Sequence, residues 1–279
     1  MANYAEMSPK DLRRLIREQK ITGETSGMCS GFVQANLVIL AQKYAEDFRK
    51  FAERNPKPCP ILEITEPGDP FLKKIADHAD IRTDIPRYRV FRNGVLVDEP
   101  YDITGCWQND FVCFLIGCSF SFENALTKAG IEIRNIVDGH MVSVYKTCIP
   151  CAPAGIFKGP VVATMRPVPE SKVDLAYEVT GRLPHVHGMP LYHGDPSKLG
   201  VDLNKPDWGV PTRFNEGEVP VFWACGVTPQ AAIENAKPDL VITHTPACML
   251  VADIKDEELE EKLFGCKEAV YKKGSEHNA

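Results

Sequence analysis

The densest group of potentially reactive side chains is the segment His185-x-His187-x5-His193-x-Asp195. Glycines and prolines interleave these residues, so the segment is predicted to be a turning loop. Imidazoles beside a carboxylate can act as a general base with its orienting acid, or they can bind zinc or another divalent cation. Loop histidines that only hydrogen-bond the backbone have the same spacing. His-x-His alone therefore leaves three interpretations open, and a divalent cation is one of them.

Two further segments lead from an apolar strand into a predicted helix through small polar residues. The first runs over residues 114–123 through Gly, Cys and Ser, and the second runs through Cys225-Gly226-Val227-Thr228. Such turns direct backbone N–H groups and hydroxyls toward one point, which suits a carboxylate or an oxyanion. A thiol at a helix start, as at Cys118, is expected to have a lowered pKa. A capped helix with a buried cysteine fits the first pattern equally well.

Three other sites carry polar groups near predicted strands. Thr243-His244-Thr245-Pro246 ends the strand after the second turn and should face the same crevice. Arg166 follows the strand at 161–165, where it could hold a carboxylate at two points or form a surface ion pair. Cys148-x-x-Cys151 lies in a proline-broken stretch, so we expect reduced cysteines that are not a functional pair.

The elements that must position these side chains alternate between strands and helices. Apolar residues three and four apart from Val33 to Phe51 predict one long amphipathic helix. Asn93-Gly94 between two apolar runs predicts a β-hairpin with a type I′ turn. A strand at 219–224, a short helix and a strand at 240–243 predict parallel pairing in a βαβ unit.

The predicted fold class is therefore α/β with two units. Residues 1–108 and 185–279 are expected to form a three-layer α/β domain. Residues 109–184 are expected to form a smaller inserted two-layer α+β domain that resembles a split βαβ unit.

Composition narrows the classes of function. The chain of 279 residues is 44% hydrophobic and 25% charged, as soluble globular proteins are, and its formal net charge is −6. An acidic chain has no electrostatic footprint for nucleic acid or an anionic membrane, and its longest apolar runs are only strand-sized. The polar N-terminus lacks the features of a leader, so the ten cysteines are expected in a reducing, cytoplasmic compartment.

Read together, several long segments resemble the D-glutamate cyclase family. In chain order they are 31–37 (GFVQANL), 114–123 (FLIGCSFSFE), 150–155 (PCAPAG), 159–167 (GPVVATMRP), 186–196 (VHGMPLYHGDP) and 219–230 (VPVFWACGVTPQ). The resemblance implies a three-layer α/β domain with a smaller two-layer domain. It also implies cyclisation of D-glutamate to 5-oxo-D-proline with loss of water.

The chain departs from the family pattern at two turns. Thr245-Pro246-Ala247-Cys248 stands where Ala-Pro-Gly-His is expected, and Trp208-Gly209-Val210 stands where a Tyr-Gly-Asp turn is expected. One histidine and one aspartate of the pattern are therefore absent.

The leading hypothesis is an enzyme that dehydrates a small amino-dicarboxylate. In it, His187 or His193 is the base steered by Asp195, and Glu123 or Cys118 assists proton transfer. We expect the two histidines and the aspartate in one pocket that faces the two cysteine turns. The substrate-binding set is Arg166, Ser119, Ser121, Cys225, Gly226, Thr228 and His244.

Two alternatives remain at this stage: a non-catalytic protein that binds a small carboxylate, and a metal-dependent hydrolase that uses the histidine cluster. The sequence leaves open whether the chain forms a homo-oligomer.

Overall fold

A computed structural model describes residues 4–266, so the predicted domain limits at 1 and 279 lie outside the described residues. The strands are β1 (Phe32–Ala41), β2 (Ile61–Ile64), β3 (Tyr88–Arg92), β4 (Val95–Asp98), β5 (Phe111–Gly117), β6 (Ser143–Pro150), β7 (Pro160–Pro169), β8 (Tyr192–His193), β9 (Glu218–Ala224), β10 (Val241–His244) and β11 (Leu250–Lys255). The α-helices are α1 (Pro9–Arg17), α2 (Gln42–Arg54), α3 (Phe120–Lys128), α4 (Arg134–Asp138), α5 (Val173–Gly181), α6 (Thr228–Ala236) and α7 (Leu259–Phe264).

The strands form two sheets whose pairs are antiparallel. The larger sheet has the order β2-β5-β1-β10-β3-β4, and β11 pairs with the first half of β1. The smaller sheet has the order β6-β7-β9-β8. Helices α1, α2 and α3 pack on the larger sheet, and α5 and α6 pack on the smaller one. The α/β class predicted from the sequence is confirmed.

The predicted parallel unit at the C-terminal end is wrong. Strand β9 pairs with β7 and β8 in the smaller sheet, whereas β10 pairs with β1 and β3 in the larger one. Helix α6 thus connects two sheets and does not cross over within one. Strand β5, expected in the inserted unit, likewise belongs to the larger sheet. The division of the chain into domains stays a prediction.

The long helix predicted from Val33 to Phe51 is also wrong in its first half. Residues 32–41 are strand β1, and the helix begins only at Gln42. Strand β1 is paired along one edge with β5 and along the other with β10 and β11. Its residues 33–41 are all buried, so both its faces are covered as well. A strand buried on both faces is apolar without alternation, and its spacing can imitate a helical stripe.

The predicted hairpin is confirmed. Strands β3 and β4 flank Asn93 and Gly94, whose φ angles are +51° and +78°. Two consecutive residues with positive φ are what a type I′ turn requires. Within residues 4–266, no helix combines the length and the apolar character needed to cross a bilayer.

Candidate active site

A small cavity of about 30 Å³ lies where the two sheets meet. Its walls come from β1, from the turns after β5, β9 and β10, and from β6 and β7 of the smaller sheet. The lining residues are Asn36, Cys118, Ser119, Phe120, Met141, Val142, Val144, Thr164, Cys225, Val227, His244, Pro246, Ala247 and Met249. Only Phe120 and Met141 among them are partly exposed, so these two side chains form its mouth.

His244 supplies a hydrogen-bond donor to this cavity. Its Nδ1 lies 3.1 Å from the backbone nitrogen of Leu37 and 3.3 Å from the Leu37 carbonyl oxygen. The shorter contact, in which Nδ1 accepts the N–H, leaves the proton of the neutral ring on Nε2. Nε2 is buried and has no hydrogen-bond partner among the described residues. Burial lowers the pKa of His244 to about 4, so the ring is neutral at pH 7. A neutral imidazole with an unused N–H can polarise a carbonyl oxygen without carrying charge.

Asn36 forms the floor of the cavity and is held by the strand beside it. Its Nδ2 donates to the carbonyl oxygens of Ile116 at 3.2 Å and Gly117 at 2.8 Å, so Oδ1 is the atom left for a ligand. A Cβ placed on Gly226 would lie 1.9 Å from Asn36 Nδ2. Gly226 therefore lets the turn after β9 approach β1, and this contact joins the two sheets at the cavity.

The expected activation of Cys118 is wrong. Both Cys118 and Cys225 line the cavity and are buried. Burial raises the pKa of the Cys118 thiol far above its ordinary range, although the backbone N–H of Phe120 acts in the opposite direction. Burial likewise raises the pKa of Cys225 to about 11. Both sulfurs are therefore neutral thiols at pH 7, because desolvation outweighs the field of a helix start.

Arg166 is fully buried inside β7, which continues to Pro169, and the prediction of a strand-end arginine is wrong. Its Nη2 donates to Glu123 at 2.6 Å and to Ser119 Oγ at 3.2 Å. Its Nη1 donates to Thr164 Oγ1 at 3.0 Å. Ser119 and Thr164 line the cavity, whereas Arg166 lies behind them. Arg166 therefore positions the side chains of Ser119 and Thr164. Its predicted contact with substrate stays a prediction.

The Arg166–Glu123 ion pair is almost completely buried. The rings of Phe122 and Trp223 lie 5.2 and 5.6 Å from the guanidinium carbon. Burial raises the pKa of Glu123, and the neighbouring Arg166 opposes that shift. Glu123 faces a separate recess of about 100 Å³ beneath residues 27–32, so the structure does not bring it to the central cavity.

Ser121 and Thr228 fasten the helix starts to neighbouring strands. Ser121 Oγ accepts the N–H of Gln34 at 2.9 Å and donates to its carbonyl at 3.3 Å. Thr228 Oγ1 accepts the N–H of Val162 at 3.0 Å and donates to the carbonyl of Cys225 at 2.8 Å. Their hydroxyls are engaged by the backbone, so they hold the two turns in place.

The histidine cluster does not converge. His185 Nδ1 lies 2.7 Å from Glu260, and His187 Nδ1 donates to the carbonyl of Lys57 at 2.9 Å. His193 Nδ1 lies 3.1 Å from the Tyr177 hydroxyl. Among residues 4–266, no three His, Cys, Asp or Glu side chains are grouped to hold a metal ion.

The predicted pocket of His187, His193 and Asp195 is not formed around the central cavity. His187 is buried, whereas His193 and Asp195 are exposed on and after the edge strand β8. Asp195 caps the 3-10 turn that follows, where its carboxylate accepts the N–H of Ser197 at 3.0 Å. Hydrogen bonds from Ser197 lower the pKa of Asp195. The roles predicted for these residues stay predictions.

Sequence reasoning missed Asn36 and Thr164. Asn36 is one of two polar residues inside the apolar run of β1, and an amide in a buried strand is a signal for a satisfied or functional polar group. Thr164 lies in β7 two residues before Arg166, on the same face of the strand.

Comparison with known proteins identifies the family. The family model described as D-glutamate cyclase matches residues 112–253, about half of the chain. This chain belongs to the D-glutamate cyclase family. Membership makes it an enzyme of the hydro-lyase class.

Curated relatives cover nearly the whole chain. A Bacillus subtilis protein named "Putative hydro-lyase YcsI" is 56% identical over 91% of this chain and 99% of its own length. Relatives named as hydro-lyases from Stutzerimonas stutzeri and Clostridium beijerinckii are 54% and 51% identical, each over 92% of this chain and 97% and 99% of their own lengths. A solved nitrogen repressor-like protein from Methanococcus jannaschii aligns with 87% of this chain and 97% of its own length, at 12% identity and a TM-score of 0.36, too low to support an argument.

Four of the six segments that carry the family resemblance meet at the central cavity, whereas residues 150–155 and 186–196 contribute no lining residue to it. Residues 31–37 contribute Asn36, 114–123 contribute the Cys118 turn, 159–167 contribute Thr164, and 219–230 contribute the Cys225 turn. One departure from the pattern is on the same wall. Ala247, at the position expected to be glycine, has φ +69°, a conformation that glycine adopts without strain.

Proposed function

We propose that this protein converts D-glutamate, or a closely related amino-dicarboxylate, to 5-oxo-D-proline with loss of water at the cavity between the sheets. The observation that carries the proposal is the unused Nε2–H of His244, buried in the wall of the cavity at which four of the six resembling segments meet.

The cavity favours uncharged groups. Its titratable lining residues are two neutral thiols and a neutral imidazole, and the nearby Arg166 is compensated by Glu123. Desolvation destabilises an ammonium and a carboxylate that lack counter-charges. A substrate ammonium next to its own γ-carboxylate would therefore pass its proton to that group, which gives the neutral amine and neutral acid that cyclisation needs.

The bond changes then balance within the substrate. The amine nitrogen attacks the γ-carboxyl carbon, and the carbonyl oxygen gains negative charge in the tetrahedral state. His244 Nε2–H and the hydroxyl of Ser119 are the donors placed to hold that oxygen. The carboxyl hydroxyl leaves as water with the amine proton. Helices α3 and α6 both begin at the cavity wall, where their first N–H groups favour the α-carboxylate.

Admission of substrate requires the mouth to open. A cavity of about 30 Å³ has room for little more than ordered water. Phe120 and Met141 are the lining side chains that reach solvent, so their movement is the simplest route of entry.

The test is turnover of D- and L-glutamate, with 5-oxoproline resolved by chiral chromatography. We expect His244→Leu to lower kcat at least about 100-fold, as loss of one oxyanion donor does elsewhere. His187→Leu is the matched control, because His187 is equally buried but does not line this cavity. Loss of turnover in the His187 variant alone would show that the active site does not lie at this cavity. Binding of D-glutamate without turnover would favour the carboxylate-binding alternative.

A further inference from the structure

A second cavity, of about 580 Å³, lies at the end of α2 and shares no lining residue with the first. It is bounded by the end of α2 with the loop that follows, by the loop between α5 and β8, and by α7. Its volume falls in the range of cavities that hold small organic molecules. Most of the wall is apolar, with Pro56, Ile61 and Met189 among its residues.

Lys57 places an uncompensated cation in this wall. Its Nζ donates to the carbonyl of Pro190 at 3.1 Å, and across residues 4–266 no carboxylate lies within ion-pair distance of it. The two carboxylates near the cavity are already engaged, since Glu53 pairs with Arg49 and Glu260 pairs with His185. Burial lowers the pKa of Lys57 to about 8, which still leaves most of the ammonium charged at pH 7. An anion would relieve this unpaired charge.

Buried contacts fix the position of Lys57. Its backbone carbonyl accepts the Nδ1–H of His187, which is 1% exposed and also lines the cavity. The ammonium is thus carried on a backbone held by a buried side chain, as a prepared binding site requires.

Another part of the wall is flat and aromatic. The rings of His185 and Phe264 stack with centroids 3.3 Å apart and planes 6° from parallel. Glu260 fixes the imidazole through its ring Nδ1 at 2.7 Å and its backbone N–H at 3.2 Å. A fixed pair of rings offers a surface suited to a planar, apolar group.

From the lone ammonium and the stacked rings of this cavity, we infer a binding site for a small aromatic monocarboxylate, separate from the site of dehydration. The carboxylate pairs with Lys57, and the aromatic body lies in the apolar part beside His185 and Phe264. The site also adjoins the catalytic region, because a Cβ on Gly117 would lie 2.0 Å from the carbonyl oxygen of His185. The backbone of His185 thus contacts the residue that precedes Cys118.

The experiment is calorimetric titration of the full-length protein with phenylacetate and with phenylacetamide, its uncharged analogue. We expect phenylacetate to bind at least about tenfold more tightly, because one charge-assisted contact distinguishes the two. Lys57→Gln should remove that preference, and Lys57→Arg should retain most of it. Lys50→Gln is the matched control, since Lys50 is an exposed lysine of α2, the helix just before Lys57, and does not line the cavity.

Competition with D-glutamate separates this site from the catalytic one. We expect D-glutamate not to displace phenylacetate, since a dicarboxylate with an ammonium is poorly matched to an apolar wall with one cation. Displacement would make the second cavity the substrate site and overturn the inference. Absence of phenylacetate binding, equal affinity for acid and amide, or an unchanged Lys57→Gln variant would overturn it as well.

Discussion

Replacing Arg166 by Met should destabilise the protein far more than an exposed arginine would. The substitution removes three side-chain hydrogen bonds and leaves Glu123, 4% exposed, without its counter-charge. Removal of one partner from a buried ion pair typically costs about 3–5 kcal/mol. That is a large share of the roughly 5–15 kcal/mol by which a folded domain is stable.

Urea unfolding at pH 7 measures the loss directly, and a second substitution isolates its cause. If the uncompensated carboxylate dominates, Arg166→Met with Glu123→Leu should recover at least about 2 kcal/mol of the single variant's deficit. Lys146→Met is the matched control, because its ion pair with Glu234 is partly exposed. We expect that control to lose less than about 1 kcal/mol.

The dependence on pH gives an independent check. Burial without Arg166 raises the pKa of Glu123 in the folded state above its unfolded value. The destabilisation of Arg166→Met is then absent below the pKa that Glu123 has in the unfolded state. It grows as the pH rises toward the pKa of Glu123 in the folded state. The deficit of Arg166→Met should be smaller at pH 5 than at pH 8. A deficit under about 1 kcal/mol at pH 7, or one that grows on acidification, would refute this account of the pair.

Three further outcomes are expected. Gly226→Ala should abolish turnover and lower Tm, because its methyl group would displace Asn36, whereas Gly105→Ala meets no atom within 4 Å and should do neither. Thr228→Val should cost about 1–3 kcal/mol in urea unfolding by leaving a buried backbone N–H unpaired, and an unchanged midpoint would contradict the fastening role. Burial lowers the pKa of His187 to about 4, so its neutral ring contributes stability that is present above pH 6.5 and is lost as the pH falls to 4. That loss, of up to about 3 kcal/mol, should be absent from the pH dependence of unfolding of His187→Gln.

Local features of the sequence determined the parts of the fold that depend on neighbours in the chain. The Asn93-Gly94 turn follows from backbone conformations that few residues adopt, and the start of α1 follows from Ser8, whose Oγ accepts the N–H of Asp11. The two turns at Cys118 and Cys225 were located for the same reason, since a strand, a glycine and a helix start are adjacent in sequence. These two turns, which are far apart in sequence and similar in composition, both line the central cavity and were the best indication of it in the sequence.

Tertiary structure alone decided what surrounds each of these groups. Strand β1 is a strand because β5 and β10 pair with its edges, and residues 70 to 205 positions away supply those partners. The Cys118 thiol is neutral because distant segments bury it, which outweighs the helix start that the sequence could reveal. His185, His187 and His193 do not form one cluster, because their side chains contact Glu260, Lys57 and Tyr177 respectively. Strand pairing, burial and partner choice are long-range properties, and spacing along the chain records only the short-range ones.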